Sequence, residues 1–371
     1  MRRRKTHRAV VEISQLEARK LFCLEAHGGF GTVPSGDHDD FGISEMFATE
    51  GGSESIDQLA VPAYSSFPSS PAKLYLDFNG APSIDNWGGW WEFGGKTAGP
   101  TQAFDNDGNN NAFSAQEQAD ILEIWKGVAE KFSPFNIDVT TVAPTGTAAL
   151  FSARVVIGGN GSWYGKGGGV ALVGSWFGDG SNTSFVWANQ GNTTYVAEAV
   201  AHEAGHMLGN YHQSLFPIQS NEYAPGLIMG RGDAGIGRWA LTTLTGGTST
   251  TRDGNTVKSK GGQDDVTRIV NRVGFKADDV GGTIATATTL PLTTVVGVTE
   301  GAATGIIERT NDVDFYRVVH NGGSFDVSLL AAEFRRMLDP NLAIFTSAGT
   351  LVSSSSSNNG SDGVGERIQL N

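Results

Sequence analysis

HEAGHMLGNYH, residues 202–212, gathers three of the chain's 7 histidines and one glutamate into a single short stretch. On an α-helix, residues four apart lie one above the other on one face, so His202 and His206 can aim a ring nitrogen at a common point. Glu203 is rotated by about 100° from His202, which puts its carboxylate beside that point. Gly209 falls where a helix can end, because glycine takes up left-handed backbone without a Cβ penalty. The turn then returns His212 as a third nitrogen. Three imidazoles suit Zn²⁺, and three protein ligands leave the fourth tetrahedral position for water, the pattern of a catalytic rather than a structural site. Five fixed positions of this kind arise by chance in a chain of 371 residues with a probability on the order of 10⁻⁵.

The sequence around this stretch reads as a sheet domain that ends on the histidine helix. KLYLDFNG (73–80) alternates apolar and polar residues and closes in Asn-Gly, a strand entering a turn. SAQEQADILEIWKGVAEKF (114–132) places Ile121, Ile124, Trp125, Val128 and Phe132 on one helical face, and Ser114 with Glu117 forms a capping box at its start. FNIDVTTV, ARVVIGG, GGVALVGSW and TSFVWAN supply four further strands between glycine-rich turns, before TTYVAEAVAHEAGHMLG (193–209) forms the second helix. The predicted class is α/β, with a twisted, mostly parallel sheet.

Residues 71–274 resemble the metzincin metalloprotease clan on the strength of H-E-x-x-H-x-x-G-x-x-H at 202–212 and of APGLIMG, which supplies a methionine turn at Met229. The resemblance implies His202, His206 and His212 as zinc ligands, Glu203 as general base and then acid, and Met229 as a structural floor. The implied reaction is peptide-bond hydrolysis by a metal-activated water. It also implies an edge strand, GGVALVGSW, along which an extended substrate would add. A tyrosine follows the methionine by two in some subfamilies; here that position is Arg231. The rival reading is an inactive extracellular binding or adhesion protein in which the metal only holds the fold together and Arg231-Gly232-Asp233 serves as an adhesion tripeptide.

Two other regions complete the expected organisation. Residues 1–70 read as a basic leader and an unstructured linker, since GGFGTVPSGDHDDFGISEMF keeps neither a helical nor a strand period. Within it, QLEARKLF resembles the LEPR-XLL motif of bacterial surface proteins through Leu16, Glu17, Arg19 and Leu21. Cys23 lies where some metzincins carry a zinc-blocking thiolate, without the Pro-Arg-Cys-Gly context of that switch. Residues 275–371 show short strand-like pieces at sandwich spacing. Through ADDVGGTIATATTL, NDVDFYRV, GGSFDVSL and LDPNLAIFTSAGTLV they resemble the bacterial pre-peptidase C-terminal domain, a β-sandwich, with the final strands expected to be missing.

Composition bounds the partners. A formal charge of −13 with a pI near 4.9 argues against nucleic acid, which needs clustered Lys and Arg. No run approaches the roughly 20 apolar residues of a membrane helix, and the basic start MRRRKTHR is not followed by an apolar signal core. The expected partner is a protein or peptide substrate, and the expected setting is secreted or cell-surface and bacterial. The lone cysteine excludes an intrachain disulfide. Asp105, Asp107, Asn109 and Asn111 alternate in FDNDGNNN and offer oxygen ligands of the kind Ca²⁺ takes, against the reading of a solvated turn before a capped helix.

Overall fold

The structure, a computed structural model, describes residues 7–15, 60–88, 96–165, 167–177, 181–188, 192–213, 226–230, 237–241, 248–250, 256–258, 263–295, 298–320, 322–338, 340–356 and 365–370. The chain divides into two compact units, Gly29–Gly274 and a second formed by Met1–Gly28 with Phe275–Asn371. Numbered in chain order, β1 (His7–Gln15) belongs to the second unit.

The unit Gly29–Gly274 is built on β2 (Ala72–Asp77), helix α1 (Ala115–Phe132), β3 (Ile137–Thr140), β4 (Ser152–Ile157), β5 (Gly169–Val170), β6 (Thr183–Val186) and helix α2 (Thr193–Met207). The sheet order is β3-β2-β4-β6-β5, parallel throughout except that β5 runs antiparallel to β6 at the edge. β2, β3 and β6 are buried along almost their whole length, as expected of parallel strands covered on both faces. The predicted edge strand is therefore in place, but only Gly169–Val170 pairs; the chain then turns through a short 3₁₀ segment at Ser175–Phe177. β7 (Thr248–Thr250) and β8 (Thr256–Lys258) form a small antiparallel hairpin.

α1 starts as the sequence dictates. The Ser114 Oγ accepts from the Glu117 N–H, and the Glu117 carboxylate accepts from the Ser114 N–H at 2.8 Å. Its apolar stripe buries Ile121, Ile124, Val128 and Phe132, while the Trp125 indole donates to the Val139 carbonyl at 2.9 Å. α1 packs on α2. Between the two helices the buried Lys131 Nζ lies 3.1 Å from Glu198 Oε1 and donates to the Gly237 carbonyl at 2.7 Å. A second core gathers Trp87, Phe185 and Trp187, with Trp163 packed edge-on against them.

A third helix, α3 (Asp265–Val273), is an element the sequence reading did not expect. Its signals were present: Asp264 caps it by accepting from the Thr267 N–H at 2.8 Å, and Val266, Ile269, Val270 and Val273 fall at helical spacing.

In the other unit, β9 (Thr288–Thr289), β10 (Thr293–Val295), β11 (Val298–Glu300), β12 (Val313–His320), β13 (Phe325–Leu329), β14 (Pro340–Thr346), β15 (Leu351–Ser355) and β16 (Glu366–Leu370) make further sheets. The larger one has the order β15-β14-β1-β12-β9, and β13 pairs with β16. Within the stretch read as a basic leader, β1 runs antiparallel between β12 and β14, with Val11 opposite both Tyr316 and Ile344. The alternation of HRAVVEISQ fits this role, because Ala9, Val11 and Ile13 hold the register positions of the rows that β12 and β14 bury.

Candidate metal centre

α2 opens at Asn192, whose Oδ1 accepts from the Tyr195 N–H at 2.9 Å. It closes in a Schellman turn. The Gly209 N–H donates to the His206 carbonyl at 2.8 Å and the Asn210 N–H to the Gly205 carbonyl at 3.0 Å, with Gly209 at φ +96°. The glycine chosen from the sequence as the helix stop thus occupies the one position that needs left-handed backbone, and the chain reverses so that His212 faces His202 and His206.

The three Nε2 atoms form a triangle with sides of 3.1, 3.0 and 3.0 Å. His202 Nδ1 lies 2.6 Å from the Ile228 carbonyl and His206 Nδ1 lies 2.7 Å from the Asn210 carbonyl. A carbonyl only accepts, so both Nδ1 atoms carry the proton and both Nε2 atoms of the neutral rings present bare lone pairs. The 3.1 Å approach of His202 to His206 is therefore a meeting of two acceptors and not a hydrogen bond. A cation between them removes the repulsion, and a triangle of this size is readily spanned by zinc–nitrogen bonds of about 2.0–2.1 Å. The donor set is wholly nitrogen, which suits zinc and not a hard cation such as calcium.

Glu203 is 7% exposed and lies next to the edge strand. A Cβ placed on Gly169 of β5 would come within 2.7 Å of Glu203 Oε1, so only glycine at 169 leaves the carboxylate its place. Beneath the helix, Met229 is fully buried with its sulfur against Gly205, where any side chain would collide with it and press on Trp239. The methionine segment is also tied to the site through the backbone: Ile228 receives the His202 ring proton, and the Gln213 N–H donates to the Met229 carbonyl at 2.5 Å.

The segment that carries His212 is clamped by residues the sequence reading did not single out. The Gln263 side-chain amide takes both backbone groups of Tyr211, accepting from its N–H at 2.8 Å and donating to its carbonyl at 2.7 Å. Arg268 of α3 donates to the Gly209 carbonyl at 2.6 Å and stacks over the Tyr211 ring. Gln213 donates to Asp265 Oδ1 at 3.0 Å, and the Ala240 N–H donates to Asp265 Oδ2 at 3.0 Å. Burial pushes the Asp265 carboxyl up to about 6, against the hydrogen bonds from Ala240, Gln213 and Gln263 that favour its charged form.

The other sequence candidates fare differently. Asp105, Asp107 and Glu117 bring carboxylate oxygens within 4.8 Å of one another, but these oxygens build the turn. Asp105 Oδ1 accepts from the N–H groups of Asp107 and Gly108, Asp107 Oδ1 accepts from Asn109, Asn109 Oδ1 accepts from Asn111, and Glu117 Oε1 accepts from Asn106. Calcium at this loop finds no support; short polar side chains here hydrogen-bond their own backbone. Arg231, Gly232, Asp233, Cys23 and the motif residues Leu16, Glu17, Arg19 and Leu21 lie outside the described residues.

Residues 135–213 match the model of metallopeptidase family M12B, reprolysin-like. The segment is of metallopeptidase type. It takes in β3 to β6, the whole of α2 and all three histidines, and amounts to about a fifth of the chain. No curated protein matches the chain. The metallopeptidase segment stops at Gln213, so Met229 and the α3 clamp lie beyond the match.

Proposed function

We propose that the chain is a zinc-dependent endopeptidase of metzincin type, in which His202, His206 and His212 hold the metal and Glu203 is the general base. The observation that carries this reading is the triangle of Nε2 atoms, two of them left as acceptors because the Nδ1–H groups of their rings donate to backbone carbonyls. A zinc ion held there supplies a Lewis acid that makes a bound water nucleophilic near neutral pH. The Glu203 carboxylate sits one residue from His202 in sequence and against Gly169 of β5, which supports a place for it between the metal ligands and a peptide laid along that strand. There it would take the proton of the attacking water and return it to the departing amine nitrogen. β5 at the sheet edge offers unpaired backbone groups on which an extended peptide would add as a further antiparallel strand. Met229 and Gly205 hold the floor of the site. An extracellular setting is part of this reading, and no described helix is long and apolar enough to cross a membrane.

The test is hydrolysis of an unfolded protein substrate by the full chain. Activity should vanish with a zinc chelator, return with one equivalent of zinc, and fall by about 10²–10⁴-fold in Glu203→Gln while zinc stoichiometry is kept. A wild type that binds zinc yet is as inert as Glu203→Gln on a broad peptide library would instead favour the inactive binding protein.

A further inference from the structure

The larger sheet of the unit that contains β12 is closed by a strand that precedes it by about 300 residues in sequence. β12 and β14 are not bonded to each other, because β1 stands between them. It pairs with β12 from His7 opposite His320 to Ser14 opposite Val313, and with β14 from Ala9 opposite Thr346 to Gln15 opposite Pro340. Neighbouring strands lie about 4.8 Å apart, so a sheet without β1 would have a slot roughly 9–10 Å wide, too wide for β12 and β14 to bond across. On their other sides, among the described residues, β12 pairs with β9 at Tyr316 and Arg317, and β14 pairs with β15. Take β1 away, and the five-stranded sheet becomes two separate ribbons.

The slot has walls and a floor of definite chemistry. Its walls are the main-chain N–H and C=O groups that β12 and β14 turn toward β1, and these require partners wherever water is kept out. Its floor is apolar: Tyr316, Leu342 and Ile344 form one buried cluster with Val280 and Ile368, and Val318 is buried on the same row of β12 as Tyr316. Since β1 runs antiparallel to both neighbours, β12 and β14 are parallel to each other. Closing the gap by direct pairing would therefore need the less stable kind of ladder. In HRAVVEISQ, Ala9, Val11 and Ile13 hold the register positions of the floor row, while Arg8, Val10, Glu12 and Ser14 hold the other row. An extended segment with one wholly apolar row and one mixed row, laid antiparallel to both walls, is what such a slot accepts.

We propose that the slot between β12 and β14 is a strand-binding site whose ligand is His7–Gln15, held by main-chain pairing and its apolar row and not by its covalent link to β2. The stretch that reads as a leader is then a lasting part of the folded protein, and a cut between residues 29 and 59 leaves β1 in its sheet. The cost of closing a loop grows only with the logarithm of its length, so the long separation in sequence does not oppose this pairing strongly. Nor does the link supply the fit. Even a short flexible tether presents its strand at only about 10⁻³ M, so a closed sheet requires a dissociation constant well below that value. The inference is independent of the histidine centre and of the proteolytic reading.

The experiment uses the full chain with a site-specific protease sequence inserted between Gly51 and Gly52, cut only after folding so that the strand is in place when its link is severed. On native size-exclusion chromatography at about 10 µM, the amino-terminal fragment should co-elute with the remainder, as a dissociation constant below about 10⁻⁶ M requires. The nicked protein is then unfolded and refolded in about tenfold excess of synthetic HRAVVEISQ, which should replace most of the fragment by mass action. A peptide carrying Val10→Thr, a change on the mixed row, should compete within about 3-fold of the unmodified one. A peptide carrying Val11→Pro, which removes a ladder N–H from the floor row, should compete at least about 100-fold less well. A fragment that elutes apart from the nicked wild type in native buffer would overturn the proposal. So would a Val11→Pro peptide that competes as well as the unmodified sequence, since the segment would then be held by something other than strand pairing.

Discussion

The histidine centre and the acidic cluster around Asp278, Glu308 and Asp314 are two answers to one physical problem, that of holding like groups close together. At the first, eleven consecutive residues supply every ligand, and the helix with its Schellman turn fixes the ring nitrogens at 3.0–3.1 Å. The Nδ1–H groups of His202 and His206 donate to backbone carbonyls. At the second, the carboxylates come from positions 278 to 314, and the buried oxygens of Glu308 and Asp314 have no donor. The difference is one of preparation: neutral imidazoles can be pre-organised at modest cost, whereas buried carboxylates are costly to hold charged. The histidine centre should therefore keep its shape without metal.

Breaking the nitrogen triangle gives the largest effect. His206→Ala is expected to weaken zinc binding by well over the 10–100-fold typical of losing a supporting residue, read by competition with a chromophoric chelator, with the melting curve of the zinc-free protein little changed. If the zinc-free protein unfolds as well, the centre is not pre-organised and the contrast with the acidic cluster fails. Next is Lys131→Met, which breaks the buried pair with Glu198 between α1 and α2 and should cost about 3–5 kcal/mol in denaturant unfolding. Lys131→Met with Glu198→Leu should recover much of that, because replacing both partners removes the desolvation penalty along with the attraction.

Arg268→Ala tests whether the motif suffices. It removes the bond to the Gly209 carbonyl and the stacking on Tyr211, so zinc affinity should fall by about 10–100-fold with the ligands untouched. An unchanged affinity would mean that the helix and its turn fix His212 without α3. The smallest effect belongs to Ser114→Ala, which removes the α1 cap. It should lower stability by about 1 kcal/mol and leave zinc stoichiometry as it was.

The histidine triad was legible because helical geometry converts offsets of four residues into adjacency, and because Gly209 announces the reversal that returns His212. The strands of the sheet were legible for a similar reason, since runs such as KLYLD and ARVVI are apolar enough to be buried on both faces. The clamp was harder to see. Gln263 and Arg268 lie more than fifty residues from the backbone groups they hold, and neither has a spacing that marks it. α3 itself carried a cap and a helical period that the reading passed over. Of the two readings of Asp105–Asn111, calcium finds no support and the turn accounts for the residues, because those oxygens are consumed by the N–H groups of their own turn.

By itself the sequence determined which three histidines cluster, the helix that presents them, its end at Gly209 and the parallel strands, all of which follow from periodicity within one element. Tertiary structure alone decided that Met229 lies under Gly205, that Gly169 makes room for Glu203, that the leader contributes β1 between β12 and β14, and that five scattered acids converge. Local rules reach about one helical turn or one strand pair along the chain, whereas these contacts join residues whose separation in sequence carries no period for a reader to follow.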